Sequence, residues 1–119
     1  MPKDVPTGRA ISIRQPHIEQ ILRGKKIYEY RSRPTKIRGR VFLYASKSHV
    51  DVEDCRHLRL NPDELPVGVI VGSVEITGCK EFDNGSYGYR LKNPKRYRTH
   101  RKPRNRPQPC WFFPFGKKE

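Results

Sequence analysis

The run from Val67 to Ile76, VGVIVGSVEI, constrains the fold of this chain more than any other segment. It is dense in Val and Ile, which fit a pleated and packed surface. Gly68 and Gly72 interrupt it, and a glycine inside a strand marks a bulge or a sharp bend of the kind a barrel corner needs. A chain of 119 residues has material for one domain and one modest core. A single small domain built on bent strands is therefore expected.

The flanking segments agree. Ala10 to Arg14 alternates apolar and polar residues as a strand does. Pro16 suits the first turn of a helix, Ile18, Ile21 and Leu22 follow at helical spacing, and Gly24 supplies a left-handed stop. Residues 26 to 32 read as a second strand carrying Tyr28 and Tyr30. Arg33 to Gly39 is a basic loop, and Arg40 to Ser46 is a third strand, apolar on both faces and so buried. Ser48 is a candidate cap of a second short helix, with Asp51 as its reciprocal partner and Val52 and Cys55 on the inner face. Residues 61 to 66 are loop, Asp83 to Ser86 a turn, and Tyr87 to Leu91 a further strand. Cys110 to Phe115 brings aromatic residues back, with Trp111 expected to close the barrel. These elements predict an α+β fold, a small mostly antiparallel β-barrel with flanking short helices. Residues 1–8 are expected to be a flexible leader, 9–115 a single domain, and 116–119 a tail.

Charge narrows the partners. Lys and Arg number 26 against 12 Asp and Glu, a formal net charge of +14. Such a field draws in polyanions, nucleic acid above all. The excess is concentrated in Arg90, Lys92, Lys95, Arg96, Arg98, Arg101, Lys102, Arg104 and Arg106, with no acid between Asp83 and Glu119. From Asn93 to Pro109 the chain lacks an apolar period, so residues 92–109 are expected to form a basic loop stiffened by Pro103, Pro107 and Pro109. Clustered cations of this kind release counterions from a phosphate backbone. Tyr87, Tyr89 and Tyr97 are candidates to stack on unpaired bases.

Other classes are disfavoured. No run of eighteen apolar residues and no long basic amphipathic helix is present, so no membrane partner is expected. The N-terminus lacks the apolar run of a signal peptide, which predicts a cytoplasmic protein, or a nuclear one in a eukaryote. Cys55, Cys79 and Cys110 are odd in number and widely spaced, and read as free thiols. Cys55 and His57 have no second ligand pair at zinc-finger spacing. No cofactor and no metal site is expected, a divalent ion entering only if the chain is a nuclease. Small size and self-repulsion predict a monomer.

The octet Gly24-Lys25-Lys26-Ile27-Tyr28-Glu29-Tyr30-Arg31 sets cations and a carboxylate close together after the helix stop. On a regular strand Ile27, Glu29 and Arg31 share one face and Lys26, Tyr28 and Tyr30 the other. Glu29 and Arg31 are then placed to pair, while a contact between Lys26 and Glu29 needs a bulge or a long reach. A partly buried lysine beside a carboxylate binds phosphate or shuttles protons.

The octet fits G-x-K-x-x-E-x-R and resembles the hallmark of the ASCH domain, a PUA-like small β-barrel family. Ile11-Ser12-Ile13-Arg14-Gln15-Pro16, the Gly72-Ser73-Val74-Glu75-Ile76 strand and the closing Trp111-Phe112-Phe113-Pro114-Phe115 extend the likeness over nearly the whole chain. The resemblance implies RNA binding, with a cleft between the barrel and the first helix bordered by the octet. Arg14, Gln15, Lys26 and Arg31 would line this cleft, Ser46 and Lys47 would add to its rim, and the basic residues from Arg90 to Arg106 would clamp the backbone of RNA or DNA. Glu29 would hold a cation in place or accept hydrogen bonds from a base.

The resemblance also implies an enzymatic alternative. One group in the family hydrolyses N4-acylated cytidines with a Lys, a Thr and a Glu, and other members cut RNA. Lys26 matches the Lys and Glu75 the Glu, but Glu29 stands where that group has its Thr. A hydrolase of RNA or of modified nucleosides would therefore rest on Lys26, Glu29 and Glu75. A third reading is a protein-interaction module, whose partner would need an acidic surface to match the basic segment.

Overall fold

The structure, a computed structural model, describes residues 8–48 and 50–116. The expected leader up to residue 7, His49, and residues 117–119 of the expected tail lie outside the described residues. The elements run in the order β1 (Ala10–Ile13), α1 (His17–Leu22), β2 (Tyr28–Arg31), β3 (Gly39–Ala45), α2 (Val52–His57), β4 (Val69–Glu81), β5 (Tyr87–Arg101) and β6 (Trp111–Phe112), with a 3-10 turn at Pro62–Glu64. The strands form one sheet in the order β2-β5-β4-β3-β1-β6. Every pairing is antiparallel except that of β1 with β3. The sheet curls into a half-barrel with β2 and β6 at its edges, and the two short helices accompany it. This is the α+β, mostly antiparallel architecture the sequence predicts.

The Val67–Ile76 run becomes the larger part of β4, which pairs with both β3 and β5. Its bends are register shifts: three against β5, beside Gly72, beyond Ser73 and before Gly78, and one against β3 between Leu43 and Tyr44. At Gly72 a Cβ would run into the Lys95 carbonyl oxygen and come within 2.9 Å of a Leu22 methyl. Two backbones and a helix meet at that point, and only glycine leaves room.

Each sheet face has its own packing. Ile11, Ile13, Val41, Leu43, Val74, Ile76, Tyr89 and Leu91 form the main core, into which α1 inserts Ile18 and Ile21. Ala10, Tyr44, Ile70 and Phe112 form a second cluster with Phe42, Tyr97 and Phe115 against it. This is why β3 is apolar on alternate and intervening positions alike. Trp111 sits in edge strand β6, opposite Ile11, and stacks on Tyr89 at 6.3 Å between ring centroids.

Two local expectations are corrected. The basic segment 92–109 is a loop only beyond Arg101, because β5 continues as far as that residue. Lys95, Arg96 and Arg101 pair with Ser73, Gly72 and Ile70 of β4, and the side chains from Lys95 to Arg101 are largely exposed, so no apolar period is needed. Asp51, not Ser48, caps α2, its carboxylate accepting the Asp54 N–H at 3.0 Å. Val52 is 52% exposed, and Cys55 alone of the expected pair faces inward.

Glu19 on α1 ties helix to sheet. It is buried and accepts from Arg23 Nε at 2.7 Å and from both terminal nitrogens of Arg96 at 3.0 and 2.9 Å. Burial alone would raise its pKa, but the two arginines outweigh that and hold the carboxyl below its ordinary value. The unfolded chain therefore takes up the proton first. The contribution of the clamp is complete above the unfolded pKa and is lost as pH falls through the native one. Glu19→Gln is expected to lower the free energy of urea unfolding by about 2 kcal/mol at neutral pH, with the difference from the parent shrinking in acid. Gly72→Ala is expected to cost about 3 kcal/mol or to abolish folding, read in the same titration.

Candidate functional site

The octet occupies the turn from α1 into the sheet edge. Gly24 takes φ +75, and the N–H groups of Lys25 and Lys26 both donate to the Gln20 carbonyl, at 2.9 and 3.1 Å. Strand β2 begins only at Tyr28, so Lys26 lies outside its alternation. Its Nζ thereby comes to 3.5 Å from Glu29 Oε1. Glu29 Oε2 accepts from Arg31 Nε at 2.8 Å, and Arg31 Nη2 donates to the Ser12 carbonyl at 2.8 Å. Strands β2 and β1 are separated in the sheet by β5, β4 and β3. The Arg31 side chain therefore spans the mouth of the half-barrel.

Around this row opens a cleft of about 500 Å³. Strand β1 and its exit supply Ser12, Ile13 and Arg14, helix α1 supplies His17, and the octet supplies Lys26, Glu29, Tyr30 and Arg31. Ser46 and Ser48 follow β3, their hydroxyls 2.6 Å apart. Pro109 and Cys110 complete the wall. Cys110 holds φ +70, a strained value for a residue with a side chain, and its carbonyl accepts the Ser12 N–H at 2.9 Å.

The polar groups are arranged unequally. Glu29 is only 7% exposed, and its Oε1 receives no hydrogen bond from the protein. Lys26 Nζ, 3.5 Å away, compensates its charge without a hydrogen bond, so acceptor capacity is left for a donor entering the cleft. Tyr30 beside it is 56% exposed, with Lys26 Nζ 5.4 Å from its ring centroid. His17 Nε2 lies 3.7 Å from Asp54 Oδ2. Burial, with the nearby Lys26 charge, holds the His17 pKa below its ordinary value against the pull of Glu29 and Asp54.

Of the residues singled out in the sequence, Arg14, Lys26, Glu29, Arg31 and Ser46 meet in this cleft. Gln15 does not. It is fully buried, its amide donating to the Pro66 carbonyl at 3.0 Å and its oxygen accepting the Glu19 N–H at 3.2 Å, because the turn into α1 directs it inward. Lys47 lines an adjoining depression instead. Glu75 is also elsewhere. Its neighbour Val74 borders a small pocket beside Lys26, so alternation turns Glu75 to the other face, where it accepts the Asn93 amide at 3.0 Å. The trio Lys26, Glu29 and Glu75 is thus not assembled.

The basic segment is divided rather than gathered into one clamp. Arg90 donates to the Ile27 and Leu91 carbonyls at 3.2 Å, and with Lys92 it flanks the small pocket by Lys26. Arg96 is taken by Glu19, and Arg101 lies 4.1 Å over the Phe115 ring. Lys95, Arg98, Lys102 and Arg104 are exposed, and Arg106 lines two other depressions. Tyr89 is buried, donating to the Arg33 carbonyl at 2.8 Å, and Tyr97 packs on Phe42. Tyr30 offers the exposed ring instead, a position legible in the octet once β2 is known to be an edge. Pro109 and Cys110 reach the cleft through long-range pairing with β1, which leaves no local signal. Among the described residues no three of His, Cys, Asp and Glu converge as a metal-ligand group, and no helix is long and apolar enough to cross a membrane.

His17 gives this geometry a direct readout. An NMR titration is expected to place its midpoint below 6.5, to raise that midpoint in Lys26→Ala and to lower it further in Glu29→Gln. Since the unfolded chain protonates first, the stability linked to His17 is complete above the unfolded pKa and declines as pH falls towards the native one.

The ASCH domain model matches residues 11–104, a span holding the octet and most of the sheet. No curated protein matches the chain. Among solved structures, a mutant of the ASCH protein of Zymomonas mobilis superposes with a TM-score of 0.58 at 15% identity, covering 92% of this chain and 90% of that one. A second structure of ASCH from Zymomonas mobilis gives a TM-score of 0.47 at 14% identity, over 74% and 72% of the two chains. The first of these likenesses is one of fold. With the family match spanning β1 to the end of β5 and the octet seated at the mouth of the half-barrel, this chain belongs to the ASCH domain family.

Proposed function

We propose that the cleft binds nucleic acid, RNA before DNA, by taking in an unpaired base. The observation that carries this reading is the nearly buried Glu29 carboxylate in the cleft wall, its Oε1 paired with Lys26 Nζ at 3.5 Å but accepting no hydrogen bond, next to the exposed ring of Tyr30. A base offers an N–H to such an acceptor and a face to such a ring. Arg14, Lys26 and the free edge of Arg31 stand around the same space for phosphate. The net charge of +14 and the exposed cations of β5 favour encounter with the polyanion.

One observation favours a second reading, hydrolysis of RNA or of a modified nucleoside. His17, its pKa held below the ordinary value by burial and the Lys26 charge, faces the same cleft as Lys26 and Glu29, and its neutral imidazole is able to accept a proton. This version replaces Glu75, which lies on the other face, by His17.

Anisotropy titrations of labelled single-stranded RNA, duplex RNA and duplex DNA at two salt concentrations test the proposal. Single-stranded RNA is expected to bind best and to stay bound near physiological salt. Arg14→Glu with Lys26→Ala is expected to weaken it about tenfold or more. Lys95→Glu with Arg98→Glu is expected to flatten the salt slope by roughly two. Binding that ignores probe type and disappears with salt would sink the reading. For the enzymatic version, Lys26→Ala is expected to abolish turnover while most affinity survives; equal loss of both favours the binding role alone.

A further inference from the structure

The cleft does not end at Ser46 and Ser48. Those two serines, with Ser12 and Pro109, also form one wall of a second depression of about 370 Å³, which Lys47 and Arg106 border. Arg106 and Gln108 in turn are shared with a third depression of about 410 Å³, bordered by Arg9, Trp111 and Phe113. The three hollows therefore lie in series along the chain from Asn105 to Cys110.

That stretch is fixed in place. The N–H groups of Arg104 and Asn105 donate to the Pro114 carbonyl at 2.7 and 2.9 Å, and the Asn105 amide donates to the Phe113 carbonyl at 2.7 Å. Ser12 Oγ donates to the Gln108 carbonyl at 2.8 Å. Each hollow holds at least one Arg or Lys, and no Asp or Glu lines the second or the third. The third adds aromatic walls: Trp111, one face of which is already stacked on Tyr89, and Phe113, which has Arg9 5.0 Å above its ring.

We propose that these hollows form one track for a single-stranded oligonucleotide of three or more residues, the first base in the cleft and the strand leaving over Lys47 and Arg106 to the aromatic hollow at Trp111. This rests on the nucleic-acid reading above and extends it from a base to a strand. Separate concave hollows suit bases unstacked from one another, and cations between them suit the connecting phosphates. A duplex, whose bases are stacked and paired, does not enter them.

Trp111 is the chain's one tryptophan and lines the third hollow but not the first, so it reports occupancy of the far end. The test is titration with a mononucleotide and with a single-stranded RNA hexamer near physiological salt, following Trp111 fluorescence together with affinity. The hexamer is expected to change Trp111 emission and to bind at least tenfold more tightly, and the mononucleotide to leave the emission unaltered. Arg106→Glu, and separately Lys47→Glu, should remove most of the tenfold advantage. Lys36→Glu carries the same charge change at an exposed residue lining none of the three hollows, and should preserve the advantage. A hexamer that affects Trp111 no more than a mononucleotide, or equal losses in the three variants, overturns the track while the single-base reading stands. Failure of both probes to bind overturns the track and that reading together.

Discussion

The half-barrel depends on one guanidinium. Arg31 lies on an edge strand, yet it hydrogen bonds to the backbone of β1, four places away in the sheet order. Without such a bridge the curl would be set by strand twist and core packing alone. Glu29 aims the bridge through Nε, at 2.8 Å, and neutralises its charge in a place largely closed to water. The second oxygen of the same carboxylate lies 3.5 Å from Lys26 Nζ, in the wall of the cleft. Closure of the sheet and polarity of the site are therefore set by a single side-chain pair.

A second ion cluster divides the positive charge of the chain into two kinds. Arg23 and Arg96 are held by buried Glu19 and serve α1, the helix that carries His17 into the cleft. Arg101 is held against aromatic rings. The exposed cations of β5 and of the segment after it remain available to a polyanion. Net charge alone does not distinguish these roles, because it counts a clamped arginine and a solvated one alike.

The amino-acid sequence carries most of the fold. Val67–Ile76, the alternation in residues 10–14 and the helical spacing of Ile18, Ile21 and Leu22 each place an element within a few residues of where it lies. Residues 92–101 read as loop because this largely exposed part of β5 has no apolar period, and only the partner strand makes it β. Within the site, the Glu29–Arg31 pair was legible, since it needs only the alternation of one strand. Gln15 and Glu75 were misplaced because the direction of a side chain at a turn, or across a sheet with register shifts, depends on residues far away in the chain. Cys110 and Pro109 were invisible for the same reason.

The double use of Arg31 and Glu29 limits how this cleft can be retuned. A change at either position alters the closure of the sheet along with the polarity of the cleft, so loss of binding there would arrive mixed with loss of fold. Lys26 precedes the strand and Tyr30 stands largely in solvent. Neither belongs to the buried core, although Lys26 pairs with Glu29 and Tyr30 packs on Tyr28 and Phe82. New preferences for one ligand over another are thus more readily acquired through positions 26 and 30, while 29 and 31 behave as a hinge pin around which such variation turns.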